Sequence, residues 1–388
     1  LIFLICCAHA MAHFYELSLP SVEPQLARDY GVTPATTGWL IVCWRLPWGF
    51  GALAAGFLVD RFGGAKMLAL FLFACAGLSF LIGFTAPLPI LFVLMFGMGM
   101  AASIYHPAGL ALISHITTPE DRGRVLGRHG VFGSVGIAAA PFVAWVVFSQ
   151  GFSWQHYYWL LAIPGVVLGW RFLLHERRTL VSCHLQRFDS RPDVEARTDW
   201  ASFAGLSAVG VFQGMVYAGA LSFMVRYLSE SPAPHHLSFG AIVDQGAFWS
   251  SAVLLVGCLG QYIAGRIANP AVLERQLTMV TGLNVPCLIL MAMAEGYWRV
   301  MAAAVFALTH FMYQPIYNSL ISKYSARQRR SFAYGLSFTM TFGLGGFGAA
   351  LAGHLELDWQ KYGALAGLAT LATICGIYLL GRNTSRIR

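Results

Sequence analysis

The chain is a succession of long apolar stretches separated by short polar ones, and that pattern leaves few folds open. The apolar runs lie at about 1–25, 36–59, 67–85, 88–115, 123–148 and 155–174, then at about 201–228, 241–265, 273–294, 297–323, 331–354 and 359–380. A helix needs about 20 apolar residues to cross the hydrocarbon core of a bilayer, and these runs have that length. Inside lipid every backbone polar group must be satisfied by the segment itself or its neighbours, so spanning structures are helices or closed barrels. Barrel strands alternate in character over about ten residues, whereas these runs are continuous and about twice as long. The expected fold is an all-α membrane protein, with 12 transmembrane helices in two six-helix bundles.

Charge supports this and sets an orientation. Of the 388 residues 57% are hydrophobic and 11% charged, where a soluble domain carries about 25% charged. A net charge of +8 would suggest nucleic acid in a soluble protein. Here the basic residues cluster in the connections and read as topology, with no nucleic-acid partner. With the N-terminus in the cytoplasm, the inner connections collect Arg61, Lys66, Arg122, Arg124, Arg128, Arg177, Arg178, Arg187, Arg191, Arg197, Arg266, Arg275, Lys323, Arg327, Arg329 and Arg330, while the outer ones hold Arg28, Arg226, Arg299 and Lys361. A multi-pass protein of the cell membrane, embedded in lipid with both termini cytoplasmic, is expected. The polar stretch 175–200 reads as a cytoplasmic linker between an N-terminal bundle, 1–174, and a C-terminal bundle, 201–388. The eight cysteines fall mostly inside apolar runs without CxxC spacing and read as small buried hydrophobes. Leu1 already lies in an apolar run, with His9, His13 and Glu16 unsuited to a cleavable leader; a few preceding residues are expected.

The two halves repeat. Tyr105-His106-Pro107-Ala108-Gly109-Leu110-Ala111-Leu112-Ile113-Ser114 in the fourth run aligns with Tyr313-Gln314-Pro315-Ile316-Tyr317-Asn318-Ser319-Leu320-Ile321-Ser322 in the tenth, with Tyr, Pro, Leu, Ile and Ser in register, and Gly127 meets Gly335 at the same offset. Parallel repeats related by an axis along the membrane normal are one transporter architecture. Between the second and third runs lies a charged turn, Gly56-Phe57-Leu58-Val59-Asp60-Arg61-Phe62-Gly63-Gly64-Ala65-Lys66, echoed by Gly265-Arg266-Ile267-Ala268-Asn269.

The G-x-L-x-D-R-x-G turn, the six-plus-six runs and the repeat together resemble the major facilitator superfamily over nearly the whole chain. Ile104-Tyr105-His106-Pro107, followed by a glycine-rich fifth run, is similar to the fosmidomycin-resistance branch of drug exporters. Gly127, Gly136 and Ala140-Pro141 partly match the family's antiporter signature. The resemblance implies that spans 1, 4, 7 and 10 surround a central cavity. It also implies that the gate includes Gly56, Asp60, Arg61, Gly63 and Lys66, with Asp60 meeting Arg329 and Arg330 at the start of span 11 while neutral Asn269 stands at the equivalent place in the other half.

Ionisable groups inside a membrane are costly and by default functional. His9, His13 and Glu16 fall on one stripe of the first helix, and Arg45 sits near mid-depth in the second, where it can pair with Glu16. Such a pair either fixes helix packing or draws an anionic substrate to Arg45 while Glu16, with His13 or His106, carries a proton. His9, His13 and Glu16 are also candidate ligands for a divalent metal. His106 precedes Pro107, which leaves the Ser103 carbonyl without its helical partner; a structural role for His106 stands beside a titrating one. His310, Tyr313, Gln314, Tyr317 and Asn318 form a polar stripe on the tenth run, and Gln213 and Tyr217 a shorter one on the seventh. With Arg45, Tyr105 and His106 they are the candidate substrate-binding residues; the alternative is hydrogen bonding between helices. No phosphate-binding loop, zinc signature or nucleophile elbow occurs, so neither an enzyme nor a cofactor is expected. The expected function is proton-coupled secondary transport of a small anionic or drug-like solute by alternating access, as a monomer, with efflux favoured. Uptake of an organic anion or a metal ion, and a transporter-shaped solute sensor, are the alternatives.

Overall fold

A computed structural model describes residues 1–84, 87–179, 198–229, 242–326 and 329–387, and within them every expected run is a helix. The twelve are α1 (Ile2–Tyr30), α2 (Pro34–Phe62), α3 (Gly64–Ile82), α4 (Leu88–Ile116), α5 (Arg124–Ser149), α6 (Trp154–His175), α7 (Trp200–Ser222), α8 (Gln245–Ile267), α9 (Leu273–Met293), α10 (Trp298–Tyr324), α11 (Phe332–His354) and α12 (Asp358–Asn383). A short helix, Met224–Ser229, continues α7. Most of the expected linker, 180–197, lies outside the described residues. Buried apolar side chains form one cluster drawn mainly from residues 5–172 and two drawn mainly from 203–379.

Two of the helices break where proline dictates. Pro20 has no N–H to give the Glu16 carbonyl, and α1 is interrupted at Leu17; Pro107 cannot serve Ser103, and α4 is interrupted at Ser103 and Ile104. Both breaks adjoin ionisable residues, Glu16 at the first and His106 at the second. Helix α11 is irregular for another reason. It widens to a π turn over Thr339–Gly343 and tightens to a 3-10 turn over Leu344–Gly346, where glycines bring it onto α2 and α7. A Cβ at Gly49 would land on the Gly343 backbone, one at Gly348 on Met215, and one at Gly38 would stand 2.6 Å from the Ala349 carbonyl oxygen. The halves meet along a seam of backbone, joined also by Thr339 Oγ1 donating to the Gly49 carbonyl at 2.9 Å.

Gly49→Ala is therefore expected to lower the melting temperature and impair function, because overpacking costs about 1–3 kcal/mol and backbone cannot swing aside. Gly56→Ala is the control: a Cβ there has nothing within 4 Å. Equal melting of the two variants would show that the seam tolerates a methyl group.

The charged turn after α2 is shorter than its sequence suggests. Asp60 and Arg61 still belong to α2, which ends at Phe62; the chain reverses at Gly63, whose φ of 88° suits glycine. The two charges simply extend the helix past its apolar stretch.

Candidate functional site

Four helices of the N-terminal half converge on one buried polar cluster. The α1 stripe turns inward, so His9, His13 and Glu16 are all buried, and Arg45 of α2 is 1% exposed. His13 Nδ1 lies 2.6 Å from Glu16 Oε2, and Arg45 Nη2 lies 2.9 Å from Glu16 Oε1. The second contact is off the hydrogen-bonding line: Arg45 Nε and Nη2 and Glu16 Oε1 make no hydrogen bond among the described residues. His9 Nδ1 donates to the His129 carbonyl at 2.7 Å, and His9 Nε2 stands 3.2 Å from His13 Nε2. From α4, the Tyr105 hydroxyl reaches His129 Nε2 at 2.7 Å and the Ile5 carbonyl at 3.0 Å. The His106 ring lies 5.6 Å from that of His9 and 5.7 Å from that of His13.

Helix α5 supplies the shelf. The His129 ring stacks on His9 at 3.8 Å, and Gly133 leaves room for the same ring: a Cβ there would stand 2.5 Å from His9 Cε1. In the partial antiporter signature Gly136 is required by contact with the Ala10 backbone, whereas a Cβ at Gly127 meets nothing. Gly133→Ala is accordingly expected to displace His9 and reduce transport several-fold, while Gly127→Ala stays near wild type; the reverse order would sink this account of the stripe.

The cluster reaches across the seam. The Arg45 guanidinium lies 5.1 Å from the Tyr217 ring centroid, His106 packs on Phe338 at 4.7 Å, and Trp48 touches both Phe338 and Phe342. Tyr217 in turn stacks on His310 at 5.9 Å. Arg45 thus sits between a carboxylate of its own half and an aromatic face of the other.

In the C-terminal half the polar stripe of α10 is divided. His310, Tyr313 and Tyr317 are buried, Gln314 is half-buried and Asn318 is exposed. Asn284 Nδ2 bonds to Gln213 Oε1 at 3.0 Å and lies 3.2 Å from His310 Nδ1, while Gln314 accepts from Gln261 at 3.0 Å. Tyr317 meets Ser337 at 2.6 Å, and the Tyr313 hydroxyl is buried without a partner among the described residues. Several of these polar groups therefore hold helices together.

The gate residues are placed differently from the sequence expectation. Asp60, Arg61 and Lys66 are exposed, and among the described residues Asp60 forms no ion pair. Arg329 lies over the Trp200 ring at 5.9 Å, Arg330 donates to the Ser322 carbonyl at 3.1 Å, and Asn269 caps its own turn through Ala271 N at 3.0 Å. The latch that does cross the halves is at the opposite end. Glu23, fully buried, accepts from Arg226 Nε at 3.0 Å, from Arg226 Nη2 at 2.9 Å and from Thr37 Oγ1 at 2.8 Å.

Sequence reasoning missed this pair, because Arg226 reads as an ordinary connection residue and Glu23 lies at the very end of the first apolar run, off the His9–His13–Glu16 stripe. His129 was also not among the candidates, although His129, Gly133 and Gly136 share one face of α5. Gln261 and Asn284 carried a usable signal, as amides inside apolar runs.

Residues 2–350 match the family model described as Major Facilitator Superfamily. The chain belongs to the major facilitator superfamily. A puromycin resistance protein (pur8) of Streptomyces alboniger is 33% identical over 171 residues, 42% of this chain and 32% of that one. A probable sulfoacetate transporter (SauU) of Cupriavidus necator is 22% identical over 278 residues, 68% of this chain and 63% of the other. A putative niacin/nicotinamide transporter (NiaP) of Bacillus subtilis is 23% identical over 387 residues, covering 92% and 89%. The chain thus spans from about a third to just under two thirds of the first two relatives' length. Among solved structures, a POT family transporter superposes with a TM-score of 0.78 at 13% identity, covering 99% of this chain and 95% of its own. An inward-facing bacterial homolog of the lysosomal transporter Spinster gives 0.72 at 14%, covering 98% and 94%. These two likenesses bear on fold alone. The sulfoacetate and niacin proteins and both solved neighbours are transporters by name, not enzymes.

Proposed function

We propose that the chain is a secondary active transporter of a small organic anion, working by alternating access about the seam between its halves. The observation that carries this reading is Arg45: a buried guanidinium at the seam, whose Nη2 is paired with Glu16 at 2.9 Å and whose Nε makes no hydrogen bond among the described residues. A carboxylate or sulfonate fits the Nε–Nη2 fork in bidentate fashion, taking the place of Glu16 at Nη2. Relatives named for sulfoacetate, L-galactonate and niacin are named for compounds that carry such a group. The partial antiporter signature of α5 supports a proton gradient as the driving force. The likeness of Ile104–Pro107 to drug exporters, with the stretch similar to a puromycin resistance protein, supports efflux; the anion-named relatives support uptake as the second reading.

With both termini cytoplasmic, as the basic connections suggest, the Glu23–Arg226 end faces out and is shut, and Asp60 lies on the inner side without its partner. Asp60 would then meet Arg329 or Arg330 only in the outward-open state, and Asp60→Asn should shift accessibility toward the inside. The direct test is flux in proteoliposomes under an imposed pH gradient, with sulfoacetate, an aldonate, nicotinate and puromycin as probes. Gradient-driven movement of at least one acid is expected. Movement of puromycin but none of the acids would move the assignment to drug export, and no flux above empty vesicles would refute the anion reading.

A further inference from the structure

We propose that His9, His13 and His106 form a binding site for one divalent first-row transition metal ion, of zinc or cobalt type. The geometry of the two α1 rings is decisive. His9 Nδ1 faces a carbonyl oxygen at 2.7 Å and His13 Nδ1 a carboxylate oxygen at 2.6 Å. Both oxygens only accept, so both Nδ1 atoms carry the hydrogen. In the neutral rings the Nε2 atoms are then bare lone pairs, and they face each other at 3.2 Å. Two acceptors so close and so deeply buried repel unless a cation joins them.

The third ring adds an independent pointer. One nitrogen of each of the three histidines lies within 4.8 Å of the others, and His106 Nε2 is buried with no hydrogen-bond partner among the described residues. Tetrahedral zinc with nitrogen ligands at about 2.0–2.1 Å sets those nitrogens roughly 3.3 Å apart. The His9–His13 pair already has about that spacing, and a His106 nitrogen within 4.8 Å of both has to close by at most roughly 1.5 Å to complete the triangle. Ligating histidines characteristically give their other ring N–H to a carbonyl or carboxylate, which fixes tautomer and orientation; His129 and Glu16 do this for His9 and His13. Three imidazoles suit zinc, cobalt, nickel, copper or iron rather than calcium or magnesium, and they leave one position open.

This refines the expectation from sequence. The cluster uses His106, from the kinked α4, where the α1 stripe alone suggested Glu16; Glu16 instead backs His13 with one oxygen and faces Arg45 with the other. The site does not depend on what the protein carries, so it is tested without transport.

The full chain, purified in detergent, freed of any affinity tag and stripped with a chelator, is titrated with Co2+ and Zn2+ by calorimetry and visible absorption. The expected result is one equivalent of cobalt with the bands of a four-coordinate ion, displaced by zinc. His9→Gln and His106→Gln should each weaken binding at least tenfold, Glu16→Gln by about 10–100-fold as a partner behind a ligand, and exposed His354→Gln not at all. In the wild-type chain, where no question of misfolding arises, bound zinc should protect His9, His13 and His106 from diethyl pyrocarbonate, read by peptide mass spectrometry. No stoichiometric binding, which would leave a shared proton between the two Nε2 atoms, overturns the proposal. Unchanged affinity in the His9→Gln/His106→Gln double variant, the mark of a surface site, overturns it equally.

Discussion

Arg45→Lys is expected to raise the half-saturating concentration of a transported anion by roughly 10–100-fold while the protein stays folded. Lysine keeps the charge that Glu16 requires, so the buried carboxylate is not left alone. What it loses is the planar fork. A charge-assisted hydrogen bond contributes about 1.5–3 kcal/mol, and each 1.4 kcal/mol is a factor of ten in affinity. Arg45→Ala is a poorer probe, since stranding one partner of a buried pair costs about 3–5 kcal/mol in stability. The double variant Glu16→Gln/Arg45→Gln removes both charges; it should melt near the wild type yet show no saturable anion transport. Concentration dependence of flux, set beside thermal melts, separates the outcomes. Unaltered saturation in Arg45→Lys would take Arg45 out of the substrate path.

Arg226→Ala is expected to open the end of the molecule that Glu23 closes. Glu23 is fully buried and accepts three hydrogen bonds, two of them from Arg226 across the seam. Removing Arg226 leaves a buried carboxylate with only Thr37. The full loss for a buried pair is about 3–5 kcal/mol; because the Arg226 side chain is 35% exposed, about 2 kcal/mol is the fitting figure, after solvent screening. That moves a two-state equilibrium roughly 30-fold. A cysteine at Ala35, half-buried at this end, should react with a membrane-impermeant maleimide faster by about that factor. The pair Glu23→Gln/Arg226→Met, which strands no charge, should restore most of the protection. Equal labelling in wild type and Arg226→Ala would mean that the glycine seam alone holds this end shut.

Helix count and the break before Pro107 were legible because both follow from local chemistry. Lipid demands internally bonded helices of fixed length, and Pro107 removes the hydrogen bond to the residue four positions before it; the break before Pro20 shows only in the structure, since Pro47 and Pro141 sit in unbroken helices. The α1 stripe was legible for the same reason, since three, four and seven residues along a helix face one way. His129 was not legible as a site residue, because a lone histidine near the start of a run does not show which neighbour its side chain meets. For the α10 stripe the sequence left substrate lining and hydrogen bonding between helices side by side; the structure adds that groups on α8, α9 and α11 bond to Gln314, His310 and Tyr317.

The sequence by itself determined the twelve helices, the repeat that makes two alike halves, and the presence of ionisable groups too costly to bury without partners. Periodicity, length and the price of desolvation act within one helix and need no neighbour. Only the tertiary structure decided which partners those groups found. Glu16 pairs with Arg45 and His13, the His106 ring lies beside those of His9 and His13, and in this conformation the ion pair that crosses the halves joins Glu23 to Arg226. Such choices depend on interhelical approach, and here glycines on α2, α5, α7 and α11 set how near the helices come.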